Sequence, residues 1–185
     1  GTSAPVLEIE GAKITDGYHN LSHHGKSESK RAELKAIDQY HMKLLADLLT
    51  IREHRGALAG LTVTFLGDGA CNMAQSYLLA GTTAGMHVRI AAPAGYEPAD
   101  AVVADAKERA ETTGGSVTLF TDPAEAVIGV DVVVTDTWVS MGRESEKAER
   151  LTRLSSYQVN SALLALAKPD ALFLHCLPAD RGFEV

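Results

Sequence analysis

Cysteine, tryptophan and long apolar runs are scarce in this chain of 185 residues. Its two cysteines, Cys71 and Cys176, build no disulfide framework. They fit a reducing compartment, so a cytoplasmic location is expected. No apolar run approaches the roughly twenty residues of a membrane span. No charged-then-apolar leader is apparent, so no membrane partner is expected. Basic charge is also in deficit, with a net charge of −7 and a pI of about 5.5. That excludes a general polyanion binder and argues against nucleic acid as a partner, while leaving room for a local site for one phosphate. Internal repeats and low-complexity tracts are absent. Three of the seven histidines crowd into Tyr18–Gly25. No carboxylate or cysteine stands at a ligand-like spacing nearby, so a solvated loop is expected there and no metal site.

What is present is enough apolar residue, 45% of the chain, for one sizeable core. Residues 1–26 are expected to be irregular. From 27 to 56 the apolar positions Leu34, Ile37, Tyr40, Leu44, Leu45, Leu48, Leu49 and Ile51 recur at helical spacing. Ser27 or Ser29 can cap this long helix, and Gly56 ends it. Residues 57–185 then alternate between strand and helix. The predicted strands are Leu61–Leu66, His87–Ala92, Ser116–Phe120, Val130–Thr135 and the apolar run Ala171–Leu174 leading into His175-Cys176. Predicted helices run from Asn72 to Ala84, Pro98 to Thr113, Ala124 to Ile128, and from Ser155 or Ser156 towards Ala167. This alternation argues for a doubly wound α/β fold, a Rossmann-like five-stranded parallel sheet of order 3-2-1-4-5 covered on both faces.

In such sheets ligands bind outside the carboxyl ends of the strands, at the switch point. The turns after strands one, four and five should therefore line a crevice. They read Gly67-Asp68-Gly69-Ala70-Cys71-Asn72, Asp136-Thr137-Trp138-Val139-Ser140-Met141-Gly142 and His175-Cys176-Leu177-Pro178. The first is no G-x-G-x-x-G, so a dinucleotide is not expected, and no other cofactor is called for. An asparagine amide and a carboxylate suit the ends of an amino acid, and backbone N–H groups near Ser140-Met141 suit its carboxylate. Asp68 and Asp136 can equally cap helices, Trp138 can simply pack, and Cys176 can be a core thiol.

These stretches, with Leu45-Ala46-Asp47-Leu48-Leu49-Thr50-Ile51 and Arg181-Gly182, resemble the ornithine carbamoyltransferases of the aspartate/ornithine carbamoyltransferase family. The resemblance covers about residues 45–185 and corresponds to that family's amino-acid-binding domain. It implies a transferase of one-carbon groups in arginine biosynthesis, moving a carbamoyl group from carbamoyl phosphate to the δ-amine of ornithine. On the matching positions it implies that Asn72, Asp136, Ser140 and Met141 hold the α-amino and carboxylate ends of ornithine or a similar amino acid. Cys176 and Leu177 then lie beside the side-chain amine, with Cys176 and Asp136 as the catalytic pair. His41 and Arg181 are the positions it offers to carbamoyl phosphate. A homo-oligomer is implied as well. The family's Ser-x-Arg-Thr phosphate loop has no counterpart here. Its His-Pro-x-Gln is expected across 41–44, which reads His41-Met42-Lys43-Leu44, and Cys71 stands where an asparagine is expected. The alternative reading is a non-catalytic amino-acid-binding half-domain, or a truncated or chimeric chain without the carbamoyl-phosphate site.

Overall fold

The computed structural model describes residues 28–139, 144–176 and 178–185. Two compact units are present, Gly1–Gln39 and Tyr40–Val185. Among its described residues the first contains only helix. Helix α1 spans Glu28–Arg55, close to the bounds its periodicity predicts. From Tyr40 onward its residues belong to the second unit.

In that second unit the order is β1 (Thr62–Leu66), α2 (Asn72–Thr83), β2 (His87–Ala91), α3 (Asp100–Thr113), β3 (Ser116–Phe120), α4 (Pro123–Val127), β4 (Val132–Asp136), α5 (Lys147–Leu154), α6 (Ser161–Leu164) and β5 (Leu172–Cys176). The five strands pair in parallel in the order β3-β2-β1-β4-β5, as expected. β1 and β4 form the switch point, and β5 borders β4. The strands of a sheet covered on both faces must be apolar on both sides. Val63 and Phe65 accordingly join one buried cluster and Leu66 the other. The first cluster holds Leu44, Leu48 and Ile51 of α1, Tyr77 and Leu78 of α2, and Val103 and Ala106 of α3. The second holds Ala126 and Val127 of α4 and Leu154 of α5, with Trp138 and Tyr157. Buried threonines need acceptors. Thr64 Oγ1 donates to the Ala126 carbonyl at 2.8 Å, and Thr135 Oγ1 to that of Leu66 at 2.9 Å.

Three expectations need correction. Leu49 does not share the core face of α1: it is 40% exposed, while Leu44, Leu48 and Ile51 form the buried stripe among the described side chains of the helix. The single helix expected from Ser155 to Ala167 is a 3-10 turn, Ser155–Tyr157, and a separate short α6. Asn160 breaks it: extended backbone there lets its side chain accept from Leu163 N at 2.9 Å and start the second segment. Ahead of these lies α5, a helix the sequence reading left out. The remaining boundaries move by one or two residues, for example Pro123–Val127 for Ala124–Ile128.

At the amino end of the sheet the chain is fastened by charge. Asp131 accepts from Thr62 N at 2.9 Å and from Lys168 Nζ at 2.6 Å, while Arg55 pairs with Asp170 at 2.5 Å. Lys43 and Arg55 are about 18 Å apart along α1 at 1.5 Å per residue, roughly the length of a five-residue strand. A helix anchored by Arg55 at the amino edge thus carries Lys43 and Asp47 to the carboxyl edge. After α3, Gly114 adopts φ +81°, and Gly115 packs so tightly that a Cβ there would lie 2.5 Å from the Met86 carbonyl oxygen. Backbone cannot yield as a side-chain tip can. Gly115→Ala should therefore cost about 1–3 kcal/mol, read as a lower urea midpoint at unchanged slope.

Candidate functional site

The carboxyl ends of β1, β4 and β5 are neighbours, and each leads into one of the polar turns. In register, Asp136 pairs with Cys176 and Thr135 with His175. Partners in register share a face, so the Asp136 carboxylate and the Cys176 thiol stand side by side. Asp136 also accepts from Thr137 N at 2.8 Å, which fixes its orientation. On the β1 side Cys71 caps α2, its sulfur accepting from Ala74 N at 3.4 Å. Asn72 is the first residue of α2 and is exposed at this edge.

Two groups from α1 complete the cluster. Asp47, half-buried, accepts from the Tyr77 hydroxyl at 2.8 Å. Lys43, one helical turn earlier, contributes the positive charge that pulls the pKa values of Asp47, Asp136 and Cys176 downward. Neither residue had been given a role from sequence. Their signal was the i, i+4 spacing of a lysine and an aspartate, which usually marks a solvated face.

Electrostatics follow from burial. Desolvation raises Asp136 above the usual aspartate value, opposed by Thr137 N–H, Lys43, His175 and Cys176. Desolvation likewise raises Asp47 against Tyr77 and Lys43. The Cys71 thiol is pushed up to about 12, first by burial and then by Asp136 and Asp68, with backbone N–H groups opposing. Burial, with Asp136, raises Cys176 too, against the pull of Lys43. Thiols so placed remain protonated at neutral pH and are poor nucleophiles. Cys176 is a hydrogen-bonding group in a polar cluster.

The other turn residues have structural work. Asp68 Oδ1 accepts from Ala70 N at 3.0 Å, and its second oxygen pairs with the buried Arg150 of α5. Arg150 Nε donates to the Trp138 carbonyl at 2.5 Å, so one guanidinium ties the β1 turn to the β4 turn. Trp138 is buried at 2% exposure and packs, as its plainer reading held. Gly67, at φ +118°, brings the turns together: a Cβ there would meet Trp138 Nε1 at 3.0 Å. His175 Nε2 lies 3.2 Å from the buried Glu184, which also accepts from Asp180 N at 2.6 Å. That contact folds the chain back after Pro178.

Of the sequence-chosen site residues, Asn72, Asp136 and Cys176 lie at this edge. Ser140, Met141 and Leu177 fall outside the described residues, as does the His41 side chain. Arg181 is exposed in the turn at 181–184.

A doubly wound parallel sheet with polar turns meeting at its switch point defines a Rossmann-like α/β domain. Residues 59–185 match the family described as "Aspartate/ornithine carbamoyltransferase, Asp/Orn binding domain", and the chain belongs to that family. Among curated proteins it is 72% identical over 149 residues to the ornithine carbamoyltransferase of Clavibacter michiganensis subsp. michiganensis (strain NCPPB 382), covering 80% of this chain and 48% of that protein. It is 64% identical over 149 residues to that of Renibacterium salmoninarum, with the same coverage. Among solved structures, ornithine carbamoyltransferase from Pyrococcus furiosus aligns with a TM-score of 0.72 at 47% identity, over 76% of this chain and 44% of that one. The chain thus spans about half the length of the curated relatives it matches.

Proposed function

We propose that this chain supplies the amino-acid-binding half of an ornithine carbamoyltransferase. The observation that carries the reading is the pairing of Asp136 and Cys176 at adjacent strand ends, beside Asn72, in a chain whose relatives are ornithine carbamoyltransferases. Asn72 and Asp136, with Ser140 and Met141, would hold the α-ammonium and carboxylate. Cys176 and Leu177 would flank the side-chain amine. The reaction needs that amine neutral: its lone pair attacks the carbonyl carbon of carbamoyl phosphate, the C–O bond to phosphate breaks, and the nitrogen loses a proton. A protonated thiol and an adjacent carboxylate can fix the amine's position without attacking the carbamoyl group, and orientation of this kind supplies much of a rate. His41 and Arg181 remain the candidates for the carbamoyl-phosphate side, and a homo-oligomer is part of the same reading.

Isothermal titration of the folded chain with L-ornithine, then with carbamoyl phosphate, tests this. Saturable ornithine binding is expected, together with citrulline formation once carbamoyl phosphate is also bound. Cys176→Ala should weaken ornithine binding about tenfold, the loss of a hydrogen bond to a charged group, with the far-ultraviolet dichroism unchanged. A wild-type chain that binds no ornithine would end the proposal. Ornithine binding without carbamoyl-phosphate binding would leave the half-domain reading, which the missing Ser-x-Arg-Thr motif favours.

A further inference from the structure

The turn that presents Asn72 is held at its start by a weak cap. Helix α2 begins at Asn72, and its N-cap is Cys71, whose sulfur accepts from Ala74 N at 3.4 Å. Sulfur is a poor acceptor, and serine, asparagine or aspartate is the usual residue at this position. The first bond inside the helix, from Gln75 N to the Cys71 carbonyl, is 3.2 Å long, at the far end of the normal range. A helix end capped in this way frays, and Asn72 lies in the turn that opens. Gln75 supplies a second hold. Its Nε2 donates to the Ala70 carbonyl at 2.8 Å, reaching back past the N-cap. Only the nitrogen end of an amide can bond a carbonyl, so the contact also fixes which way the amide faces. On the other side of the turn, Ala70 N donates to Asp68 Oδ1 at 3.0 Å and Cys71 N to the Asp68 carbonyl at 3.2 Å. Asp68 is in turn fixed by Arg150. Ala70 is thus gripped at its N–H from the β1 side and at its carbonyl from α2.

We infer that Gln75 is a positioning residue of the amino-acid site: its amide locks the Ala70 carbonyl and so keeps the first turn of α2 closed, with Asn72 at the crevice. The inference rests on the amino-acid site proposed above. Gln75 acts through Asn72 and does not itself touch the substrate. Its effect follows from occupancy. Apparent affinity falls with the fraction of molecules whose turn is closed. Losing one hydrogen bond shifts such an equilibrium by about fivefold, which is the ceiling on the effect. Asn72 is assigned to the α-amino and carboxylate end, which every amino acid shares. Gln75 therefore sets affinity for that common end and not selectivity among side chains. A stronger cap at position 71 would hold the same turn, so residues 71 and 75 should be partly redundant.

The experiment is a calorimetric titration of wild type, Gln75→Met, Cys71→Ser and the double variant with L-ornithine and with L-norvaline, which has the same carbon chain without the amine. Methionine keeps the length and helix propensity of glutamine but cannot donate, and circular dichroism checks each fold. Gln75→Met should weaken ornithine and norvaline alike, by about threefold, and should speed amide exchange at Ala70 and Cys71. With Cys71→Ser in place a hydroxyl caps the helix, and the same substitution should cost less than about 1.5-fold. If wild type binds ornithine and Gln75→Met binds it as tightly, Gln75 positions nothing and the amino-acid site stands. An equal loss with cysteine or serine at 71 would mean direct contact with substrate, and a loss for ornithine alone would put Gln75 at the side-chain end. Either result overturns the assignment. If folded wild type binds neither amino acid, the site and the role of Gln75 fall together.

Discussion

Arg150→Met should lower the unfolding free energy by about 3–5 kcal/mol, the usual cost of removing one partner of a buried ion pair. Arg150 is 3% exposed, and its side chain meets Asp68, the Trp138 carbonyl and, at 3.6 Å, Glu146. Its guanidinium also lies 5.1 Å from the Tyr96 ring centroid. Methionine fills much of the volume but donates nothing. Among the described residues the Asp68 carboxylate, with a side chain only 13% exposed, is then left with the Ala70 N–H. Most of the cost is this uncompensated charge, so adding Asp68→Asn to the variant should return a large part of it. Arg150→Lys should also be destabilising, because a single ammonium cannot reach both an oxygen of Asp68 and the Trp138 carbonyl as a fork does. Urea denaturation of wild type and these three variants measures the differences. A loss under about 1 kcal/mol for Arg150→Met would place the pair with exposed surface bridges. The same side chain holds the β1 and β4 turns together, so ornithine affinity should fall with it.

Arg150 also shows why part of the fold was hidden in the sequence. Strands β1, β2 and β4 were legible because each is an apolar run closed by glycine, proline or a polar turn, and burial on both faces demands such runs. Helix α5 was not, although Ala148, Leu151 and Leu154 recur at helical spacing, because eight residues are too few for that period to stand out. One of the residues it buries is Arg150, a charge that counts as surface in any pattern reading. The reading across Ser155–Ala167 failed for a related reason: an Asn160 side chain that caps locally outweighs the helical spacing of the leucines. The site divides the same way. Its edge was predictable from topology, since the order 3-2-1-4-5 alone brings the turns after β1, β4 and β5 together. Which polar residue in each turn faces the crevice was not. Asp68 and Asp136 look alike after their strands, yet one is consumed by Arg150 and the other stays beside Cys176. Asp47 reaches the Tyr77 hydroxyl from a helix that closes over the sheet, a tertiary contact without a local signature.

Asp136→Asn should separate stability from binding. Burial raises the Asp136 carboxyl above its ordinary value in the fold. A carboxyl raised on folding binds its proton more readily in the native state, so its contribution favours folding at acid pH and is lost as pH rises through the raised value. Above the raised value it is ionised at the expense of the fold. Asparagine keeps an oxygen to accept from Thr137 N and carries no charge. The variant should therefore equal or exceed wild type by about 0.5–1 kcal/mol at neutral pH, with the gap closing as pH falls through the raised value toward the ordinary aspartate value of about 4. Binding should move the other way. Removing the charged partner of a desolvated ammonium costs about 2–5 kcal/mol, so ornithine affinity should fall by at least about thirtyfold. Paired urea titrations at both pH values, with calorimetry at neutral pH, give the two numbers on one protein. A variant markedly less stable than wild type at neutral pH would make Asp136 a structural cap. Unchanged ornithine affinity would remove it from the amino-acid site, and with it the reason for placing the substrate's ammonium between β4 and β5.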